Sequence, residues 1–162
     1  MDLGIAGRRA IVGGASKGLG HACAEALAAA GVHLTICARG EADLKAAADG
    51  LAKKYGVTVT PVAVDVTTAD GRARLLEACP EPDILVTNTG GPPMGDWRSF
   101  PEEAWHQAVD SVMLTPLMLI RATVDGMAER GFGRIVNITS SVVKSPRAEL
   151  ARRLALDLPD EV

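Results

Sequence analysis

Short apolar, β-branched runs alternate along the chain with longer stretches whose apolar residues recur at helical spacing, the pattern of repeated strand–helix–strand units. The runs predict strands at about 8–13, 32–37, 57–64, 83–88 and 133–139, and the stretches between them predict helices at about 17–30, 41–55, 68–79 and 101–130. Ile84-Leu85-Val86 and Ile135-Val136-Asn137-Ile138 are almost continuously hydrophobic, as strands become where helices cover both faces of a parallel sheet. Right-handed crossovers then give an α/β fold, a doubly wound parallel sheet with strand order 3-2-1-4-5. In the long 101–130 helix, Val109, Val112, Met113, Leu117 and Ile120 form an apolar set that suits either a partner or the sheet, with packing on the sheet the favoured expectation.

The first strand runs directly into Gly13-Gly14-Ala15-Ser16-Lys17-Gly18-Leu19-Gly20 and then into an alanine-rich helix. A strand that reverses into a helix within a few residues leaves the first helical N–H groups uncovered, and these together with the helix dipole attract an anion. In Gly14-x-x-x-Gly18-x-Gly20 the first glycine permits the turn, the second lets backbone approach a ligand, and the third lets helix and strand pack closely. Gly14, Ser16, Lys17, Gly18, Leu19 and Gly20 are therefore candidate phosphate-binding residues. The spacing differs from Gly-x-Gly-x-x-Gly, and a glycine-rich turn without a ligand fits these eight residues as well.

Later strand ends add chemistry to the same edge. The second strand ends at Ala38-Arg39-Gly40, about twenty residues beyond the glycine turn, where an acidic residue would meet the ribose in an NAD site. Arg39 instead offers a planar fork for a 2′-phosphate, and Lys17 adds a second cation, so the pair favours NADP (NADPH) over NAD. The third strand ends at Val64-Asp65-Val66, where Asp65 either accepts from an adenine amino group or caps the next helix, a role for which Thr67 and Thr68 compete. The fourth strand leaves through Thr87-Asn88-Thr89-Gly90-Gly91-Pro92-Pro93, with Asn88 able to donate and accept in fixing the loop. Val66, Asn88 and Gly90 join Arg39 and Asp65 as candidate cofactor contacts. Met94-Gly95-Asp96-Trp97 reads as a turn over the site.

Composition narrows the partners. The 162 residues are 48% hydrophobic and 23% charged with net charge −3, which suits one globular domain and gives no basic surface for nucleic acid. Aromatics at 3% supply few stacking platforms for single strands. Cys23, Cys37 and Cys79 lack metal-ligand spacing and sit in apolar segments, and His21 lies two residues from Cys23, so no metal is expected. No signal-peptide pattern opens the chain, and the longest apolar stretch, Val112 to Ile120, is too short to span a bilayer. A reduced, cytoplasmic setting without membrane association is the expectation.

With these motifs in place, the chain from about residue 5 to residue 146 resembles the short-chain dehydrogenase/reductase family, most closely in wording its 3-oxoacyl-acyl-carrier-protein reductase branch. The glycine turn, Asp65, Asn88 with Gly90, and Gly133-Arg134-Ile135-Val136-Asn137-Ile138-Thr139-Ser140 carry the likeness. The resemblance implies a Rossmann fold, a nicotinamide cofactor, and hydride transfer to or from a small-molecule carbonyl or alcohol. It also implies that Ser140 is the catalytic serine, hydrogen-bonding the carbonyl oxygen, with Ser141 the alternative one residue on. In the family a tyrosine, a lysine four residues later and a helical asparagine complete the chemistry. Here the asparagine position falls on Val112, the one tyrosine is Tyr55, no Tyr-x-x-x-Lys occurs, and Lys144 stands four residues after Ser140. Residues 147–162 do not follow the family; Leu150, Leu154 and Leu158 suggest a short amphipathic helix there, and the sheet is expected to be incomplete on that side. Two expectations result: an NADP(H)-dependent oxidoreductase of a ketone or oxoacyl group with weak or absent turnover, or a non-catalytic nucleotide-binding or partner-binding relative. Homo-oligomerisation is compatible with either.

Overall fold

The computed structural model describes residues 2–91 and 96–140. Strands β1 (Arg9–Val12), β2 (His33–Ala38), β3 (Val59–Ala63), β4 (Ile84–Thr87) and β5 (Arg134–Asn137) alternate with helices α1 (Gly18–Ala29), α2 (Glu41–Tyr55), α3 (Ala69–Ala78), α4 (Glu102–Val109) and α5 (Thr115–Glu129). All strands are parallel, in the order β3-β2-β1-β4-β5 that the alternation predicts. Ala10 in β1 stands opposite Leu34 in β2 and Ile84 in β4, and Leu85 in β4 stands opposite Ile135 in β5.

Side-chain alternation splits the core between the two faces of the sheet. Ala10, Val12, Leu34, Ile36, Ile84 and Val86 pack with Ala24, Ala28, Leu44, Ala48 and Leu51 of α1 and α2. Ile11, Cys37 and Leu85 pack on the other face with Leu75 of α3 and Leu119 and Met127 of α5. Both faces being covered is why β4, buried at every position, reads as an unbroken apolar run. β5 does not follow that expectation. It is the edge strand, Ile135 and Ile138 reach the two clusters, and Val136 remains 46% exposed among the described residues. Helix α1 buries Gly20, Ala24 and Ala28, a stripe at i, i+4 and i+8 with no side chain larger than methyl.

The cap of α3 settles one open alternative. Thr68 is the N-cap, its hydroxyl accepting from the Gly71 N–H at 3.0 Å. The Asp65 carboxylate instead accepts from the Thr67 N–H at 3.0 Å and hydroxyl at 2.7 Å, closing the turn before the helix.

The stretch expected as one helix over 101–130 is divided. Between α4 and α5, residues Asp110–Leu114 form a π-helical turn in which the Thr115 N–H bonds five residues back to the Asp110 carbonyl. Pro116 comes at once after it; it has no N–H to donate and its ring opposes an ordinary α-helical turn, so the helix widens before it. The stripe facing the sheet is Thr115, Leu119, Thr123 and Met127. Contrary to the apolar pattern, Val109, Val112, Met113 and Leu117 are 46%, 52%, 55% and 46% exposed, and of the expected set Ile120 alone packs on the core. One extra residue in a helical turn rotates every later side chain by about 100°, which no constant period anticipates. Ser141, Lys144, residues 147–162 and the turn at 92–95 lie outside the described residues.

This arrangement separates two substitutions that the sequence alone treats alike. Leu119→Ala should destabilise the chain by about 2–4 kcal/mol in urea unfolding, and Val112→Ala by less than about 0.5 kcal/mol. Equal losses would refute the buried stripe assigned to α5.

Candidate functional site

Because every strand is parallel, all five C-terminal ends open onto one edge, and a cleft of about 840 Å³ lies there. β1 has β2 on one side and β4 on the other, so the chain crosses over in both directions from it. That switch point is where open parallel sheets leave a crevice. Gly14, Ser16, Lys17, Arg39, Asp65, Val66, Asn88 and Gly90 all line the cleft, so one volume gathers candidates from four segments far apart in the chain.

The glycine turn is held from both sides. The Gly13 N–H bonds to the Val86 carbonyl at 3.0 Å and the Ala15 N–H to the Cys37 carbonyl at 3.1 Å, pinning the turn to β4 and the end of β2. The Asn88 side-chain amide donates to the Gly13 carbonyl at 3.2 Å, the loop-fixing use anticipated for it. A Cβ on Gly13 would fall 2.5 Å from the Asn88 carbonyl oxygen, so this close approach requires glycine. Gly14 and Gly18 have φ of 57° and 63°, in the left-handed region that favours glycine, and Gly18 has open space where a Cβ would stand. A Cβ on Gly20 would meet the Gly13 and Gly14 carbonyls, so its absence lets α1 seat against the turn. Gly18 and Gly20 thus shape the cleft without lining it. Leu19 does not bring its side chain to the cleft; it is 68% exposed, and its contribution there is limited to backbone in the first turn of α1.

The cleft carries both signs of charge: Lys17 and Arg39 line it together with Asp43, Asp65 and Asp110. α1 alone among α1, α2, α3 and α4 has neither a capping side chain nor an acidic residue in its first turn. Its N-terminal N–H groups and positive dipole end are uncompensated by side chains, while Lys17 and Arg39 are exposed cations on the same cleft. Asp65 is held below the usual carboxylate range, first by the Thr67 hydroxyl and N–H and to a smaller extent by Arg39. It is therefore ionised and acceptor-only at neutral pH. Cys37 lines the cleft, but burial pushes its thiol up to about 12, leaving it unreactive as a nucleophile.

Asp43, Thr89, Gln107, Asp110 and Ser111 also line the cleft and escaped the motif reading. Ala104, Gln107, Ala108 and Ser111 recur at i, i+3, i+4 and i+7, one helical face of small and polar residues, which was the available signal. Ser140 is exposed three residues beyond β5 and does not line the cleft. Tyr55 is remote from it: its hydroxyl donates to Glu25 at 2.9 Å, beside Lys54 at 2.8 Å, joining α2 to α1. No helix among the described residues is long and apolar enough to cross a membrane.

Comparison with known proteins gives this edge a family. The family model described as short chain dehydrogenase matches residues 8–152. The chain is 31% identical over 152 residues to the uncharacterized oxidoreductase YvaG of Bacillus subtilis, covering 93% of the chain and 58% of that protein. It is 33% identical over 141 residues to L-xylulose reductase of Mesocricetus auratus, covering 86% and 56%. Among solved structures, L-sorbose reductase from Gluconobacter frateurii, complexed with NADPH and L-sorbose, superposes with a TM-score of 0.86 at 35% identity, covering 91% of this chain and 58% of that one. The chain thus spans somewhat over half the length of these relatives. With the sheet order, the glycine turn and the matched span in agreement, the chain belongs to the short-chain dehydrogenase family of oxidoreductases.

Proposed function

We propose that the chain binds NADP(H) and belongs to an oxidoreductase acting on a small-molecule ketone, oxoacyl group or the corresponding alcohol. The observation that carries the reading is the uncapped N-terminus of α1 sharing one cleft with Lys17 and Arg39. Backbone N–H groups at Gly18, Leu19 and Gly20 would meet the pyrophosphate, Ser16 and Lys17 would support it, and Arg39 would grip the 2′-phosphate. Asp65 and Val66 would border the adenine, and Asn88 and Gly90 would hold the cleft floor. The group fits: Gly18 leaves open space for a ligand, and the cleft volume lies in the usual ligand range of roughly 300–1,000 Å³. NADPH supplies the hydride when bound. The binding unit is read as residues 1–146, and the 3-oxoacyl reductase branch remains the finer assignment.

Ser140 would donate a hydrogen bond to the substrate oxygen as negative charge grows there. Tyr-x-x-x-Lys does not occur in the 162 residues, and their one tyrosine is committed to Glu25 on α1. A positioned proton donor is worth a factor of roughly 10² to 10⁴ in rate. Weak or absent turnover is therefore proposed for these 162 residues taken by themselves, and the second reading of them is a nucleotide-binding or partner-binding unit. The exposed apolar residues of α4 and α5 are compatible with a homo-oligomer under either reading.

Arg39→Ala should weaken NADPH binding by about 10- to 100-fold, the worth of one or two charge-assisted hydrogen bonds, and NADH binding by less than about 3-fold. Equal effects in calorimetric titration would refute the 2′-phosphate assignment. Saturable NADPH binding without NADPH consumption over a panel of ketones supports the binding-only reading, and measurable turnover that Ser140→Ala abolishes supports catalysis.

A further inference from the structure

Ser111 and Thr89 form a pair of crossed hydrogen bonds at the end of the cleft away from Arg39. The Thr89 hydroxyl donates to the Ser111 carbonyl at 2.9 Å, and the Ser111 hydroxyl donates to the Gly90 carbonyl at 2.7 Å. The exit of β4 is thereby tied twice to the π-helical turn. The first bond exists because the helix leaves a carbonyl over. In an α-helix the Ser111 carbonyl would accept from the Thr115 N–H, but that N–H goes to Asp110. In the wider register its donor would be residue 116, which is proline and has none. The Thr115 hydroxyl is also turned to Asp110, at 2.7 Å, so it does not serve Ser111. Thr89 fills the place left by both helical donors.

We infer that Thr89, Ser111 and Pro116 act together as a positioning device that sets the backbone of Asn88–Gly91 for the half of the ligand lying beyond the pyrophosphate. This rests on the dinucleotide reading above. Thr89, Gly90, Gly91 and Ser111 line the cleft, and a Cβ on Gly90 or Gly91 would meet nothing within 4 Å, so no side chain stands between this backbone and the cleft. A ligand in that part of the cleft would meet these peptide groups, whose orientation is set by what holds the Gly90 carbonyl. The adenine half lies against Arg39 and Asp65, on other strand ends, and does not depend on this clamp. Cost is expected only for ligands that reach past the glycine turn.

The test compares NADPH with 2′,5′-ADP, which carries the adenine half alone, by calorimetric titration of the chain. Thr89→Val and Ser111→Ala should each weaken NADPH about 5-fold, the loss of one neutral hydrogen bond, while 2′,5′-ADP changes less than about 2-fold. Thr89→Ser, which keeps the hydroxyl, should restore NADPH affinity. Pro116→Ala returns a backbone donor to the Ser111 carbonyl, so Thr89→Val should cost less in that background, a coupling that general destabilisation does not produce. If Thr89→Val fails to fold, Ser111→Ala carries the comparison. Equal loss for both ligands, no loss for either, or no coupling to Pro116 would overturn the clamp. If the unaltered chain binds 2′,5′-ADP and NADPH but the variants behave as wild type, the clamp alone fails; if it binds neither, the nucleotide reading fails and the clamp with it.

Discussion

The structure depends on how closely three pieces of backbone meet at the end of β1. The turn at Gly13 and Gly14 lies against Asn88 at the exit of β4, and Gly20 at the start of α1 lies against the carbonyls of the same turn. A methyl group at Gly13 or Gly20 would need backbone to move, which is costlier than a rotamer change, and one at Gly14 would displace the Asn88 side-chain amide. The remaining site features depend on this contact. It seats the start of α1 against the turn, directly after the cleft-lining Ser16 and Lys17, and brings Asn88 within reach of Gly13.

The cations work because the turn is already in place. Lys17 precedes the first helical residue of α1 and Arg39 comes directly after β2, so their charges flank a helix end that no side chain neutralises. Asp65 tempers the same region: the Thr67 hydroxyl and N–H that hold it also keep it ionised, with a smaller contribution from the Arg39 charge.

The doubly wound sheet was legible because each strand carried its own apolar run and each connection was long enough to hold a helix, and right-handed crossovers narrowed the arrangements to a few that include the observed 3-2-1-4-5 order. That Gly14, Arg39 and Asp65 share one cleft was legible because each stands just past the end of a parallel strand. The wall formed by Gln107, Asp110 and Ser111 was not, since its geometry comes from a π-helical turn whose cause, Pro116, acts on carbonyls four and five residues before it. The apolar set on α4 and α5 misled for the same reason. Val109, Val112, Met113 and Leu117 match a helical period but face outward, while Thr115 and Thr123, polar by composition, are buried with their hydroxyls bonded to helical carbonyls. Asp65 was ambiguous between ligand and cap because Thr67 and Thr68 stand beside it, and only the Thr68 bond to Gly71 decided the cap.

The stripe of Gly20, Ala24 and Ala28 on α1 has a consequence for precision. Glycine and alanine have no side-chain rotamers to order on burial, so seating this helix carries almost no side-chain entropy penalty. No rotamer exchange within that stripe can shift the helix relative to β1. The first turn of α1 is therefore seated against the sheet by contacts that have no side-chain rotamers to exchange.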